Sequence, residues 1–117
     1  MEVLKKNPPR KFMVGKPDAP IEISDCGEIK LEPDELVTFI KPSGSRFDFS
    51  CKDWGYYVTP SMNSRLRNEG FKVALVKNTV DRYFVMAVEE AQMSLFLKYA
   101  KDEEQQIVAW LDDWGTK

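Results

Sequence analysis

The chain has 117 residues, enough to enclose one core, and its 43% hydrophobic and 31% charged residues are the balance of an ordinary globular protein. It contains no histidine and only two cysteines, Cys26 and Cys51. That composition excludes Ser-His-Asp and Cys-His nucleophile systems, histidine metal sites, and a four-ligand zinc site built by this chain alone.

The formal net charge of −2 is unevenly spread. Residues 1–17 carry Lys5, Lys6, Arg10, Lys11 and Lys16 against Glu2, a balance of +4, so the remaining residues carry −6. Four of the seven prolines (Pro8, Pro9, Pro17, Pro20) also fall in residues 1–20. This segment is expected to be an extended, partly mobile basic arm, followed by one domain over residues 21–117. One aromatic in the arm, Phe12, and an acidic body behind it argue against nucleic acid as a partner. The longest apolar runs, residues 73–76 and 84–88, are too short to span a membrane, and no apolar stretch follows the N-terminal charges to make a secretory signal. The expectation is a soluble, cytoplasmic protein with both thiols reduced.

Taken in order, Ile21 and Ile23, then "SDCGE", then Ile29 and Leu31 read as a hairpin. Residues 36–40 are β-branched and aromatic, which suits a strand, and "KPSGS" marks a turn. Phe47, Phe49 and Cys51 alternate with polar residues, which predicts a strand with one apolar face. A short strand over residues 56–58 comes next. Thr59 as N-cap, Pro60 in the first helical position and Gly70 past the end predict a short central helix over residues 59–69. Two strands, residues 71–77 and 82–88, flank the turn "NTVD". Ala91, Leu95 and Tyr99 recur every fourth residue, a helical stripe that breaks near Lys101. Residues 107–111 fit either a last strand or a second helix. Helical spacing of Ile107, Val108, Leu111 and Trp114, with Asp102 and Gln105 as a capping box, tips the reading towards the helix. The fold class expected is α+β: a mostly antiparallel sheet of five to seven short strands, one short central helix, and a C-terminal helical segment on one face.

No phosphate-binding glycine loop, CxxC pair or EF-hand spacing is present, so no cofactor or metal is expected. The sequence leans away from an enzyme. The remaining candidate surface runs from Trp54 to Arg67. A helix start at Thr59 would offer free N–H groups, Ser61 and Asn63 add hydrogen bonds, and Arg65 or Arg67 could grip an anion. Trp54 and Tyr57 would supply flat apolar walls. Ligand-binding residues are therefore sought at Trp54, Tyr57, Ser61, Asn63, Arg65 and Arg67. The expected function is a binding or accessory module for an anionic or sugar-like ligand or a protein partner. One alternative is a small enzyme using carboxylates from Asp25, Glu28, Asp48, Asp53 and Asp81; Cys51 beside Lys52 is a weaker nucleophile candidate. A second alternative is a structural subunit of a homo-oligomer, most simply a homodimer. Trp110 and Trp114, four apart on a terminal helix, would share one face and form its interface.

Overall fold

The computed structural model describes residues 1–114, and no helix among them is long and apolar enough to cross a membrane. Those residues form eight strands and two α-helices, and 54% of the structure is strand against 18% helical. The fold is β-rich, with three small sheets and one helix of substance, and this corrects the α+β expectation. Contacts divide the chain into two compact units: Met1–Leu36 with Ser50–Tyr56, and Val37–Phe49 with the chain from Tyr57 onward.

In the first unit, β1 (Glu2–Lys16) pairs antiparallel with β2 (Ala19–Lys30) across a turn at Pro17 and Asp18. The basic, proline-bearing segment is thus extended and has a strand partner. Ile21 to Leu31 is not a hairpin of its own: "SDCGE" lies within β2. Lys5 faces Gly27 and Arg10 faces Asp25, so residues 6–9 stand against Cys26 alone. Pro8 and Pro9, which have no N–H to give a ladder, sit in that bulge. Asp25 gathers the bulge, accepting from Lys6 Nζ at 2.6 Å, Arg10 Nε at 3.3 Å and the Gly27 N–H at 3.3 Å. Gly27 has φ +146°, and a Cβ there would lie 2.3 Å from the Leu4 carbonyl oxygen, so only glycine fits.

Three strands run through the division between the units: β3 (Leu36–Ile40), β4 (Arg46–Lys52) and β5 (Gly55–Tyr57), in sheet order β3-β4-β5. The alternation seen in the sequence places Phe47 and Phe49 on one side of β4. In the second unit Phe49 meets Phe39 edge-on at 6.2 Å, and Phe47 meets Phe71 at 6.1 Å.

The second unit is built on β6 (Phe71–Lys77), which lies between β7 (Tyr83–Glu89) and β8 (Gln106–Trp110), both antiparallel to it. Residues 107–111, which sequence spacing favoured as helix, are mostly strand. A central strand needs partners for its N–H and C=O groups on both sides, and only β8 supplies the second set. Pairing with β6 therefore overrides local spacing, setting Trp110 opposite Ala74, Ala109 opposite Leu75 and Ile107 opposite Val76. Val108 is left as a bulge between them. The expected helix over residues 59–69 shrinks to α1 (Arg65–Asn68). Thr59 does not cap it, because its hydroxyl donates to the Pro60 carbonyl at 3.0 Å. Ser61 takes that role, its Oγ accepting the Arg65 N–H at 2.9 Å. Of the Ala91–Tyr99 stripe, Leu95 and Tyr99 lie in a helix, α2 (Met93–Asp102), and Ala91 falls in the 3₁₀ turn before it; both stripe residues in α2 are exposed, and Ala100 is the residue it buries.

The core of this unit is Leu66, Phe71 and Val73, joined by Phe47, Met62 and Leu111. Beside it lies Asp112, a carboxylate with 0% exposure. Its Oδ1 accepts the Val73 N–H at 3.0 Å, and its Oδ2 accepts from Lys72 Nζ at 3.0 Å and Arg67 at 3.2 Å. Arg67 also donates to the Asp112 carbonyl at 3.0 Å and to Asp113 at 3.1 Å. Burial pushes the Asp112 carboxyl up, but the Val73, Lys72 and Arg67 bonds outweigh it and hold the group below the ordinary carboxylate value.

Removing Asp112 takes the partner from the buried Val73 N–H and from two cations, Lys72 and Arg67, which keep part of their surface in water. Asp112→Ala is therefore expected to cost about 1–3 kcal/mol in urea unfolding, chiefly through the unsatisfied Val73 N–H. The same variant in a Lys72→Met background should cost less, since the Lys72–Asp112 contact is already absent there. A loss under about 1 kcal/mol in the single variant would show the cluster to be incidental to stability.

Candidate functional site

The six residues sought from the sequence do not assemble into a helix-start anion site. Trp54 belongs to the first unit and is 71% exposed. The other five belong to the second unit. Tyr57 ends β5 and is half exposed, and Asn63 is exposed in the turn before α1. Ser61 is occupied in capping the Arg65 N–H. Arg65 donates to Asp48, whose second oxygen accepts from Thr38 Oγ1 at 2.8 Å, and Arg67 is committed to Asp112 and Asp113. Both guanidinium groups thus already hold carboxylates. A four-residue helix gathers too little aligned dipole to attract an anion.

The carboxylates named as possible acid–base residues are dispersed. Asp25 holds the β1–β2 bulge, Asp48 holds Arg65, and Asp81 pairs with Lys77 at 3.5 Å. Cys26 and Cys51 are free thiols, Cys26 exposed and Cys51 half-buried in β4. Among the described residues no three His, Cys, Asp or Glu side chains converge as metal ligands.

One further polar cluster joins the "KPSGS" turn to the end of β7. Glu89, almost buried, accepts from Lys41, from Ser43 Oγ at 3.0 Å and from Ser45 Oγ at 2.8 Å. Lys41 first, then the two hydroxyls, hold its carboxyl below the ordinary value against the effect of burial. It borders an open cleft of about 500 Å³ walled by Met86, Leu95, Phe96 and Tyr99. Lys41, Ser43 and Ser45 all converge on Glu89, so the cluster pins the turn to the strand.

A second cleft of this unit is apolar. It has a volume of about 330 Å³ and is lined by Phe47, Val58, Met62, Val73, Val85 and Ala87. Val58, Thr59 and Met62 come from the stretch singled out in the sequence, but they are neighbours of the residues sought there. Val85 and Ala87 come from β7, and β7 is an edge strand.

The hydrogen bonding of β7 can be read from its ends. The Asn78 N–H donates to the Arg82 carbonyl at 3.0 Å, and the Glu90 N–H donates to the Gly70 carbonyl at 2.8 Å. Between these anchors the register runs unbroken from Phe71↔Glu89 to Lys77↔Tyr83. Antiparallel bonding alternates along a strand, so Phe84, Met86 and Val88 bond to β6. Tyr83, Val85, Ala87 and Glu89 therefore turn their N–H and C=O groups away from the sheet. Val85 and Ala87 present free main-chain groups at the edge and side chains to the apolar cleft.

The opposite edge is protected and this one is not. β8 carries the Val108 bulge, which interrupts pairing. β7 runs through "YFVMAV" without charge, proline, glycine or bulge, and Val85 is 66% exposed. Natural sheets guard such edges with those devices. The sequence did carry a signal here, an uncharged run over residues 83–88 with charges only at its two ends. It could not reveal that the strand lies at an edge.

Comparison of the chain with protein-family models, with curated proteins and with solved structures yields no match.

Asp112 and Glu89 both have depressed folded-state values, so their stabilisation is present above the unfolded carboxylate range and is lost as pH falls through the folded values. The urea midpoint should hold near neutrality and fall as pH drops below about 4. Asp112→Asn should flatten part of that fall. An unchanged acid profile in the variant would show that Asp112 does not drive it.

Proposed function

We propose that this chain is a non-catalytic interaction module, binding another polypeptide in extended form along β7, with partner side chains entering the adjoining apolar cleft. The observation that supports it most directly is the coincidence at Val85 and Ala87 of free main-chain groups and cleft-lining side chains. Strand addition uses those two features together: main-chain bonds supply affinity, and pockets for alternate side chains supply selectivity. In the second unit, exposed Tyr57 and Trp114 fit a protein partner better than a small anion, since Arg65 and Arg67 are both engaged. Trp110 is unavailable as half of a shared tryptophan face. It lies half-buried in β8, edge-on to Phe96 at 6.0 Å and under Lys72 at 5.3 Å. We take the module to be cytoplasmic, a placement that two free cysteines suit.

Val85→Pro is the variant for this reading. The Val85 N–H points outward, so proline there removes an edge donor and leaves the β6 ladder intact. A fluorescent nine-residue peptide of alternating valine and threonine with lysine ends should bind the full chain and raise its anisotropy. Val85→Pro should weaken that binding about tenfold, the equivalent of one net hydrogen bond. Equal binding to both proteins, or none to either, would defeat the reading.

A further inference from the structure

We infer that the strand received at this edge is β7 of a second copy, so that two chains join across a two-fold axis at Met86 into one six-stranded sheet. This rests on the reading of the β7 edge given above and names its occupant.

Antiparallel pairing of a strand with itself is set by which residue lies on the axis. Outward-facing groups are on odd-numbered residues, so a bonded register must set odd opposite odd. The register centred on Met86 does this and also overlaps all seven residues of β7. Tyr83 then faces the partner's Glu89, and Val85 faces the partner's Ala87. Each of these pairs exchanges main-chain hydrogen bonds. Val85, 66% exposed in the single chain, is covered by an apolar neighbour on the same face.

Charge selects the same register. One step beyond each end of β7 stand Arg82 and Glu90, both exposed. Centring on Met86 places Arg82 directly opposite the partner's Glu90, and symmetry repeats the pair at the other end. Arg82 precedes β7 and Glu90 opens the 3₁₀ turn Glu90–Gln92 that follows it, so the two pairs bracket the shared ladder at its ends. Opposite charges directly across a strand pair favour pairing, and like charges oppose it. Moving the axis to Val85 would set Asp81 opposite the partner's Glu89, a repulsive contact. The same patch meets itself, the isologous arrangement of most homodimers.

The test is sedimentation equilibrium of the full chain from low to high micromolar concentration. The expected result is a mass approaching twice that of the chain. Val85→Pro should raise the dissociation constant about tenfold. Arg82→Glu and Glu90→Arg should each weaken the dimer, and the double variant should restore it, because the charges are only exchanged. In a Cys26→Ser/Cys51→Ser background, Met86→Cys should give a disulfide-linked dimer on mild oxidation, whereas Leu95→Cys should not. A monomer at every concentration would overturn the inference. So would a dimer indifferent to Val85→Pro and to the charge exchange, which would point to another surface such as that around Trp114. If the chain is monomeric yet binds the alternating peptide in a Val85-dependent way, the self-pairing fails and strand addition stands. If peptide binding also fails, both fall.

Discussion

A carboxylate with no access to water must find its hydrogen bonds inside the protein, and Asp112 finds them on two other segments. The Val73 N–H and Lys72 come from β6, and Arg67 comes from α1. Asp112 itself lies in the turn that follows β8. One buried charge therefore ties the end of the chain, the central strand and the short helix to fixed mutual positions. Leaving any of those donors unpaired is costly, so the arrangement resists slippage of β8 along β6. Lys72 is held protonated by the same contact and also lies over the Trp110 ring.

With β8 secured on one side of β6, the sheet has two edges, β8 with its bulge and β7 without one. The geometry of the β7 edge follows from the hairpin before it. The Asn78–Arg82 bond sets which residues face β6, and alternation does the rest. At the far end Glu89 binds Lys41, Ser43 and Ser45, so β7 is pinned at both ends and presents a straight, regular edge. Regularity makes it a template for another strand. The first unit has a different economy: its hairpin is interrupted by a bulge whose basic residues fold back onto Asp25, so much of the positive charge near the N-terminus is met locally.

Local signals in the sequence served well where a residue's neighbours in the chain determine its conformation. The "KPSGS" turn, the Phe47–Phe49 alternation, and the end of α2 near Lys101 were all legible. Signals failed where distant partners decide. Thr59-Pro60 is a sound helix start by local chemistry, but the chain spends most of that stretch in turns, with Ser61 taking the cap and Leu66 buried in the core. Arg65 and Arg67 read as free cations because nothing in the sequence shows that Asp48 and Asp112 lie beside them. Asp112 and Asp113 read as ordinary acidic residues near the end of the chain.

The sequence by itself determined the exclusions, since a missing histidine or glycine loop cannot be supplied by folding. It also determined several of the strands, those over residues 36–40, 46–52, 71–77 and 83–89, because β-branched and aromatic runs between turn residues favour extended backbone whatever they pair with. Tertiary structure decided the state of residues 107–111, the pairing of the N-terminal segment and the identity of the edge. In each case an unpaired backbone needed a partner many positions away in the chain, and meeting that need outweighs the few tenths of a kcal/mol by which local propensities differ. Whether an apolar strand is a core element or a docking surface depends on its place in the sheet, which only the folded arrangement sets.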